Sequence, residues 1–288
     1  MIIHPEEIPV QKLHSYLLGS IVPRPIAFAS TVNAAGDVNL SPFSFFNVFS
    51  ANPPVLIFSP ARRVRDNSVK HTLLNVQEVP EVCINVVSYS MVEQASLASC
   101  EYPAGVNEFV KAGFSEEPAA RIRPPHVAES PVSFECRVQH VMALGTGGGA
   151  GNLIVAEVVL MRIKDEVLDA AGRIDPHKLD AVARMGANYY CCASGDAVFE
   201  VPKPSEIPGL GVDLLPRHVW TSDCLTGNDL GRLGNLHQQP SPEVLAAISQ
   251  MPEVRQAVAD GFPAVHRLAK KWISAGELHQ AWALLTMP

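Results

Sequence analysis

Little in this chain suits a membrane or an exported protein. Charged residues make up 18% of its 288 residues, and the longest apolar stretch, residues 153–161, is interrupted by Glu157. That stretch is far shorter than the roughly 20 apolar residues of a bilayer-spanning helix. Glu6 and Glu7 also stand where a signal peptide would carry positive charge. We therefore expect a cytoplasmic protein with no membrane contact.

The sequence is equally poor in features that bind nucleic acid or form disulfides. Its net charge is -7 at pH 7, which argues against a broad surface that neutralises phosphates. Its six cysteines show no CxxC spacing. We expect reduced thiols and no nucleic-acid partner.

Motifs for hydrolytic or metal chemistry are missing as well. The chain has neither HExxH nor GxSxG, so no metal site is predicted, and His126 and His140 are interpreted as ordinary polar residues. The glycine-rich stretch 145–151 lacks the Lys-Ser/Thr pair of a phosphate loop and lies between two predicted strands. It predicts a flexible hairpin tip, with a nucleotide loop as the alternative.

What the chain does contain is a series of short β-prone runs separated by turn residues. They predict strands at residues 26–32, 38–50, 55–58, 82–87, 132–144, 153–163 and 198–201. Apolar spacing predicts a helix over residues 68–79. Capping residues predict further helices at 91–99, where Ser90 and Glu93 match a capping box, after Asn107, and from Asp175-Pro176.

The pattern changes near a proline-rich stretch at residues 202–208, which has the composition of a linker. We therefore predict a domain of mainly β structure with helices at 1–204, and a C-terminal extension at 205–288 that is loop-rich and then helical. Residues 225–234 are interpreted as a defined loop, and Ser241 as a helix start. An apolar stripe on the last helix is predicted to pack on the β-rich domain or on a partner subunit; it consists of Leu278, Ala281, Trp282 and Leu285.

Small polar residues collect at the predicted strand ends and at one helix start: Ser30, Thr31, Ser41, Ser44, Asn47, Ser59, Arg62, Lys70 and Thr72. Hydroxyls and an amide beside Phe43, Phe45 and Phe46 suit a flat ligand with apolar faces and polar edges. Cations near a helix N-terminus suit an anionic tail. Solvated strand ends carry the same residue types, so an ordinary polar surface stays the alternative.

Several motifs occur in a specific order. They are residues 23–31 (PRPIAFAST), 39–47 (NLSPFSFFN), 52–54 (NPP), 70–75 (KHTLLN), 129–136 (ESPVSFEC), a strand with Glu157, and 184–186 (RMG) with Tyr189. This series, over roughly residues 10 to 204, resembles the flavin reductase-like, FMN-binding split-barrel family of the flavoredoxin and nitrilotriacetate monooxygenase component B type. The resemblance implies a Greek-key-like split β-barrel, here with a helical C-terminal extension, and a homodimer with flavin near the subunit interface.

The resemblance also assigns site residues. Thr31, Ser44, Phe46 and Asn47 would border the isoalloxazine and ribityl groups, and Ser59, Arg62, Lys70 and Thr72 would hold the phosphate. Ser41 would shape the loop whose amides reach the flavin, while Arg184 and Tyr189 would approach from the far side. Core packing is the alternative for Phe46 and the favoured interpretation for Phe45 and Phe49. Arg24 is expected to pair with an acidic neighbour or the ligand.

Two positions depart from the family pattern. The usual Lys-Asp-Thr is Lys70-His71-Thr72 here, and Asn152 stands where reductases of the group often carry a histidine. The second departure places efficient oxidation of a nicotinamide in question.

The resemblance implies an FMN-dependent oxidoreductase, with FAD as the alternative flavin, that takes electrons from NADH or NADPH and passes them to free flavin, a monooxygenase or another partner. A flavin-binding carrier, sensor or electron-transfer module without turnover is the second hypothesis. A split barrel with another ligand such as haem is a third, because fold alone does not determine the ligand.

Overall fold

The computed structural model describes residues 1–204 and 207–287, and the chain divides into two compact units, Met1–Phe199 and Glu200–Pro288. The division lies a few residues before the predicted boundary between residues 204 and 205. Part of the predicted linker, residues 205 and 206, lies outside the described residues. Among the described helices, none has both the length and the apolar character needed to span a bilayer.

The first unit contains the strands and the shorter helices. Its strands are β1 (Ala27–Val32), β2 (Val38–Phe43), β3 (Phe46–Ala51), β4 (Pro54–Phe58), β5 (Glu81–Asn85), β6 (Glu116–Glu117), β7 (His126–Val127), β8 (Val132–Ala143), β9 (Asn152–Ile163), β10 (Ala181–Arg184) and β11 (Tyr190–Ala193). Its α-helices are α1 (Val10–Ser20), α2 (His71–Glu78), α3 (Val92–Leu97), α4 (Glu108–Ala112) and α5 (Pro176–Leu179).

Seven strands form one sheet in the order β2-β1-β5-β8-β9-β4-β3, and every pairing in it is antiparallel. β1 is buried along its whole length because its side chains alternate between two cores. Ala27 and Ala29 face a core that includes Phe58 and helix α2, whereas Phe28 faces a second core with residues of α3 and α4. Residues 33–37 form the turn between β1 and β2, which pair as a hairpin.

Local capping explains where several helices begin and end. The Asn107 side chain accepts a hydrogen bond from the Phe109 amide at the start of α4, and Gly113 ends that helix with φ +73. Asp175 caps α5 in the same way. Both predicted helix starts are confirmed. They could be predicted because each depends only on residues that are close together in the chain.

Other predictions for this unit are wrong. The predicted strand at residues 38–50 is two strands, β2 and β3, that pair with different neighbours. The capping box at Ser90 does not form: residues Tyr89–Met91 make a 3-10 turn, and the Ser90 hydroxyl lies 3.0 Å from that of Ser88. The last described strand of the unit is β11, and residues 198–201 form no strand. Helix α1 has no counterpart among the predicted elements.

His126 is more than an ordinary surface residue, unlike the exposed His140. It is 3% exposed, and its Nε2 lies 2.9 Å from Glu135 Oε1 while its Nδ1 lies 2.7 Å from the Ser133 hydroxyl. Glu135 also accepts hydrogen bonds from the amides of Ala120 and Arg121. This network attaches the loop before β7 to β8, so His126 has a structural role.

The second unit is helical. Its α-helices are α6 (Arg217–Trp220), α7 (Gly227–Gly234), α8 (Pro242–Ser249), α9 (Pro252–Ala259), α10 (Phe262–Ala275) and α11 (Leu278–Leu285). The predicted loop at residues 225–234 is therefore wrong, because Thr226 and Asp229 form a capping box that starts α7. The start of α8 after Ser241 is confirmed, although no side-chain cap bond forms there.

The apolar stripe on α11 packs against different residues from those predicted. Ala281, Trp282 and Leu285 are at most 2% exposed and belong to a core made within this unit. That core also contains Leu233, Ile248 and Ile273. The C-terminal helices thus bury their apolar faces against one another.

We expect the helical unit to lose stability in mild acid. His218 Nδ1 lies 2.9 Å from His266 Nε2, and burial lowers the pKa of both histidines from the ordinary value of 6.5. His218 lowers the pKa of His266 further, and Asp223 opposes this. The folded state therefore favours neutral imidazoles, so their contribution is complete above the unfolded-state pKa and is lost as pH falls below it.

Denaturant unfolding at pH 7.5 and pH 5 measures this effect. Trp220, Trp272 and Trp282 are the three tryptophans of the chain, so tryptophan fluorescence reports on the helical unit alone. The midpoint should be lower at pH 5, and His266→Gln should reduce the difference. An equal pH dependence in the variant would contradict the assignment.

Candidate functional site

Three of the residues predicted to bind phosphate lie on one stretch of chain, which runs from the end of β4 to the start of α2. Ser59 follows β4 directly, Arg62 lies in the irregular segment after it, and Lys70 is the residue before the first turn of α2. No side chain caps this eight-residue helix. Its free amides and its dipole therefore favour a negative charge at this end.

Ser59 carries an unused polar group. Its side chain is buried, and its Oγ is the one buried side-chain nitrogen or oxygen atom without a hydrogen-bond partner among residues 1–204 and 207–287. Buried polar atoms are nearly always paired, because an unpaired one costs about 1–3 kcal/mol. An orphan hydroxyl directly after β4 fits a site that binds a polar group.

Lys70 is a cation without a counter-ion. It is partly buried, and its ammonium group makes no hydrogen bond or ion pair within the described parts of the chain. Burial lowers its pKa, Arg63 lowers it further, and Glu101 and Glu108 act in the opposite direction. A bound anion would compensate for the desolvation of Lys70.

Hydrogen bonds from Nε hold the side chain of Arg62 in place. Nε donates to Asn67 Oδ1 at 3.0 Å and to the carbonyl of Thr146 at 3.3 Å. Its two outer nitrogens make no hydrogen bond with any described residue. The guanidinium is therefore oriented and still has donors for an anion.

Arg63 is a residue that sequence reasoning missed. Its Nη1 donates to the Ser68 hydroxyl at 2.7 Å and to the Val69 carbonyl at 3.1 Å, and its Nε pairs with Glu101 at 2.5 Å. Glu101 also pairs with Arg65. Arg63 thereby folds the segment back toward Lys70. No local signal in the sequence could reveal this, because Glu101 is distant along the chain.

The glycine-rich hairpin tip between β8 and β9 packs against this segment. The Arg62 amide donates to the Ala150 carbonyl at 2.8 Å, and the Gly149 amide donates to the Arg62 carbonyl at 2.9 Å. The predicted hairpin is confirmed, while a freely flexible tip is not what the structure shows.

Thr31 and Thr72 are placed differently. Both side chains are fully buried, and each hydroxyl accepts a hydrogen bond from a core amide, Thr31 from Asn75 at 3.1 Å and Thr72 from Asn39 at 3.0 Å. The structure does not bring these side chains to a surface. A ligand would therefore contact these two threonines through their backbone groups.

The predicted ring-binding residues lie around the β2–β3 turn. Ser41 is 8% exposed on β2, Phe46 packs against the barrel core, and Asn47 is exposed with its Oδ1 accepting the Val48 amide at 2.8 Å. Core packing for Phe45 and Phe49 is wrong, because they are 40% and 65% exposed.

Arg24 connects Ser44 to the far side of the predicted site. It is 6% exposed and donates to the Ser44 hydroxyl and to the carbonyls of Leu18, Ile21 and Met185. Arg24 has no acidic partner among the described residues, so the expected pairing with an acidic neighbour is wrong: three carbonyl oxygens and the Ser44 hydroxyl accept its hydrogen bonds. Burial lowers the pKa of Arg24, and Arg184 lowers it further.

Arg184 and Tyr189 lie next to this link. The Arg184 guanidinium sits 4.5 Å from the Tyr190 ring centroid and donates to the Tyr189 carbonyl at 3.2 Å. Tyr189 is 74% exposed. Arg184 also pairs with Arg24 through the backbone, so the chain brings Ser44, Arg184 and Tyr189 into one neighbourhood.

Asn152, the second departure from the family pattern, is buried. Its Nδ2 donates to the Pro60 carbonyl at 2.9 Å, next to Ser59. Its side chain is thus engaged within the protein. In the described parts of the chain, no three His, Cys, Asp or Glu side chains are grouped to hold a metal ion.

Most of the first unit is similar in sequence to known proteins. The family model described as "Flavin reductase like domain" matches residues 18–178. An uncharacterized protein of Aquifex aeolicus is 35% identical over 189 residues, which cover 66% of this chain and 94% of that protein.

Solved structures extend the likeness to the fold. Nitrilotriacetate monooxygenase component B from Bacillus cereus is 28% identical with a TM-score of 0.65, over 70% of this chain and 98% of that one. A Shewanella frigidimarina protein with a split barrel domain is 24% identical with a TM-score of 0.59, over 69% and 96%. The predicted split β-barrel with a helical C-terminal extension is confirmed.

Proposed function

The chain belongs to the flavin reductase like domain family, and on that premise we propose that it is an FMN-dependent oxidoreductase that accepts electrons from NADH or NADPH. The observation that carries the proposal is that the orphan hydroxyl of Ser59 and the unpaired ammonium of Lys70 lie at the two ends of one short segment between β4 and α2. A phosphate group would supply the missing partner of each.

The residues present fit FMN. Ser59, Arg62 and Lys70 would hold the phosphate together with the open amides of α2, and FAD is the alternative because it also carries phosphate. Ser44, Phe46 and Asn47 would border the ring system, with Ser41 shaping their loop and Arg184 and Tyr189 opposite. Thr31 and Thr72 would contribute through their backbone groups. When bound, the flavin supplies the transfer of electrons between nicotinamide and acceptor.

The acceptor in this proposal is free flavin or a partner protein. The similar Bacillus cereus protein is a monooxygenase component, which supports a monooxygenase as the partner. We also propose a homodimer, because Val48 and Phe49 expose apolar surface on β3, an edge strand of the sheet, and Phe45 is exposed just before that strand. The proposed location is the cytoplasm, with neither nucleic acid nor membrane as a partner.

Asn152 supports a second candidate, a flavin-binding carrier, sensor or electron-transfer module without turnover. Asn152 occupies the position where reductases of the group often carry a histidine. Its side-chain amide donates a hydrogen bond to the Pro60 carbonyl inside the protein. A residue held in this way does not reach toward a nicotinamide.

A visible absorption spectrum of the freshly purified protein, followed by anaerobic addition of NADH and then NADPH, tests both candidates. We expect a flavin spectrum that bleaches with one of the two nucleotides. A flavin spectrum that persists would favour the module. A colourless protein that also fails to bind added FMN would contradict both, and a Soret band would indicate haem.

A further inference from the structure

We propose that the glycine-rich hairpin tip, residues 145–151, together with Asn152, positions the phosphate-binding segment and thereby gives the protein its selectivity for phosphorylated flavin over riboflavin. The phosphate-binding segment comprises residues 59–70, from Ser59 to Lys70. This inference rests on the proposed function and assigns positioning roles to residues that act through their contacts with the segment.

Hydrogen bonds from the tip hold the backbone of the segment at two places. Arg62 is bonded through both its amide and its carbonyl, to Ala150 and Gly149 respectively. Asn152 Nδ2 holds the Pro60 carbonyl at 2.9 Å. Ser59 and Ala61 are thus each next to an anchored residue, which restricts where the orphan hydroxyl of Ser59 can lie.

The tip also orients side chains of the segment. The Thr146 carbonyl accepts from Arg62 Nε at 3.3 Å and from Asn67 Nδ2 at 3.0 Å. Asn67 has a positive φ of 59, a conformation that few residues adopt without support. The Arg62 guanidinium therefore presents its free outer nitrogens in one orientation.

This contact requires glycine at particular positions of the tip. A Cβ on Gly148 would lie 3.0 Å from the carbonyl oxygens of both Arg63 and Val64, so the backbone of the segment would have to shift. A Cβ on Gly151 would lie 2.7 Å from Ser59 Oγ. Gly147, one residue from Gly148, has nothing within 4 Å of the same position.

These contacts predict a specific effect on ligand choice. Riboflavin lacks the phosphate that the segment would bind, whereas its ring system is the same as that of FMN. A shift of residues 63 and 64 should therefore weaken FMN binding and leave riboflavin binding as it is. General loss of structure would weaken the binding of both flavins, so the ratio of their dissociation constants isolates the positioning role.

The decisive comparison is Gly148→Ala against Gly147→Ala in the full chain, with dissociation constants for FMN and riboflavin measured by titration of flavin fluorescence. Gly148→Ala should reduce the FMN to riboflavin selectivity about tenfold, as expected when a charge-assisted hydrogen bond is lost. Gly147→Ala should leave the selectivity unchanged. Unchanged selectivity in Gly148→Ala, or an equal loss for both flavins, would overturn the inference.

Asn152→Leu is the second variant and decides the matter if Gly148→Ala does not fold. It removes the donor to Pro60 while keeping a side chain of similar size, and the selectivity should fall in the same direction. Selectivity like that of the wild type would overturn the role of Asn152. Failure of the proposed function is distinguishable, because the wild-type protein would then bind neither flavin.

Discussion

Replacing Lys70 and Arg62 together with alanine is expected to weaken FMN binding about a hundredfold. Hydrogen bonds to charged groups contribute roughly 1.5–3 kcal/mol each, and about 1.4 kcal/mol corresponds to a tenfold change in affinity. We take the lower end because both side chains are only partly buried, and water screens partly exposed charges. Isothermal titration of the apoprotein with FMN measures the effect.

A matched control is the double variant Arg173→Ala, Lys178→Ala. It removes the same charge from two exposed side chains: Arg173 pairs with Asp169, and Lys178, on α5, donates to the Leu168 carbonyl. FMN affinity should stay within about twofold of the wild type, because distant exposed charges interact weakly. Wild-type affinity in the Lys70 and Arg62 variant would show that the phosphate is bound elsewhere.

Trp282→Ala is expected to destabilise the helical unit by about 3–5 kcal/mol, the usual cost of truncating a buried tryptophan. Trp282 is 2% exposed and lies in the same core as Leu233, Ile248 and Ile273. Its removal leaves a cavity that those neighbours would fill only in part. Denaturant unfolding followed by the fluorescence of Trp220 and Trp272 gives the change in the free energy of unfolding.

Trp220→Ala provides the comparison within the same unit. Trp220 is 52% exposed, and its indole N–H donates to the carbonyls of Val212 and Leu215. Its loss should cost about 1 kcal/mol, because these hydrogen bonds exchange with water. If Trp282→Ala cost no more than Trp220→Ala, α11 would not belong to the core described here.

Prediction from the sequence succeeded where neighbouring residues decide the outcome. The strands β1, β4, β5, β8 and β9 and the starts of α4 and α5 follow from local alternation and capping. It failed where a distant contact decides. The capping box at Ser90 was a correct local pattern, yet the chain there adopts a 3-10 turn. At residues 225–234 the failure has a local cause instead: the capping box of Thr226 and Asp229 starts α7 in a stretch predicted as a loop.

The candidate site likewise has features that the sequence predicts and features that only distant contacts decide. The ordered motifs placed Ser59, Arg62 and Lys70 in one binding region, because these residues lie on a single stretch of chain. They could not show that the side chains of Thr31 and Thr72 are buried, or that Phe45 and Phe49 are exposed. Exposure depends on which elements pack on a strand, and those elements are far away along the sequence.

By itself, then, the sequence determined the family and the positions of β1, β4, β5, β8 and β9, and it predicted which residues form the phosphate segment. Only the tertiary structure decided that Arg24 donates to the Ser44 hydroxyl and to three carbonyls, one of them 161 residues away, and that the glycine-rich tip bonds to Arg62 and Asn67. The physical reason is the range of the interactions. Alternation and capping act over a few residues, whereas burial and hydrogen-bond partners are set by chain segments that meet only when the protein folds.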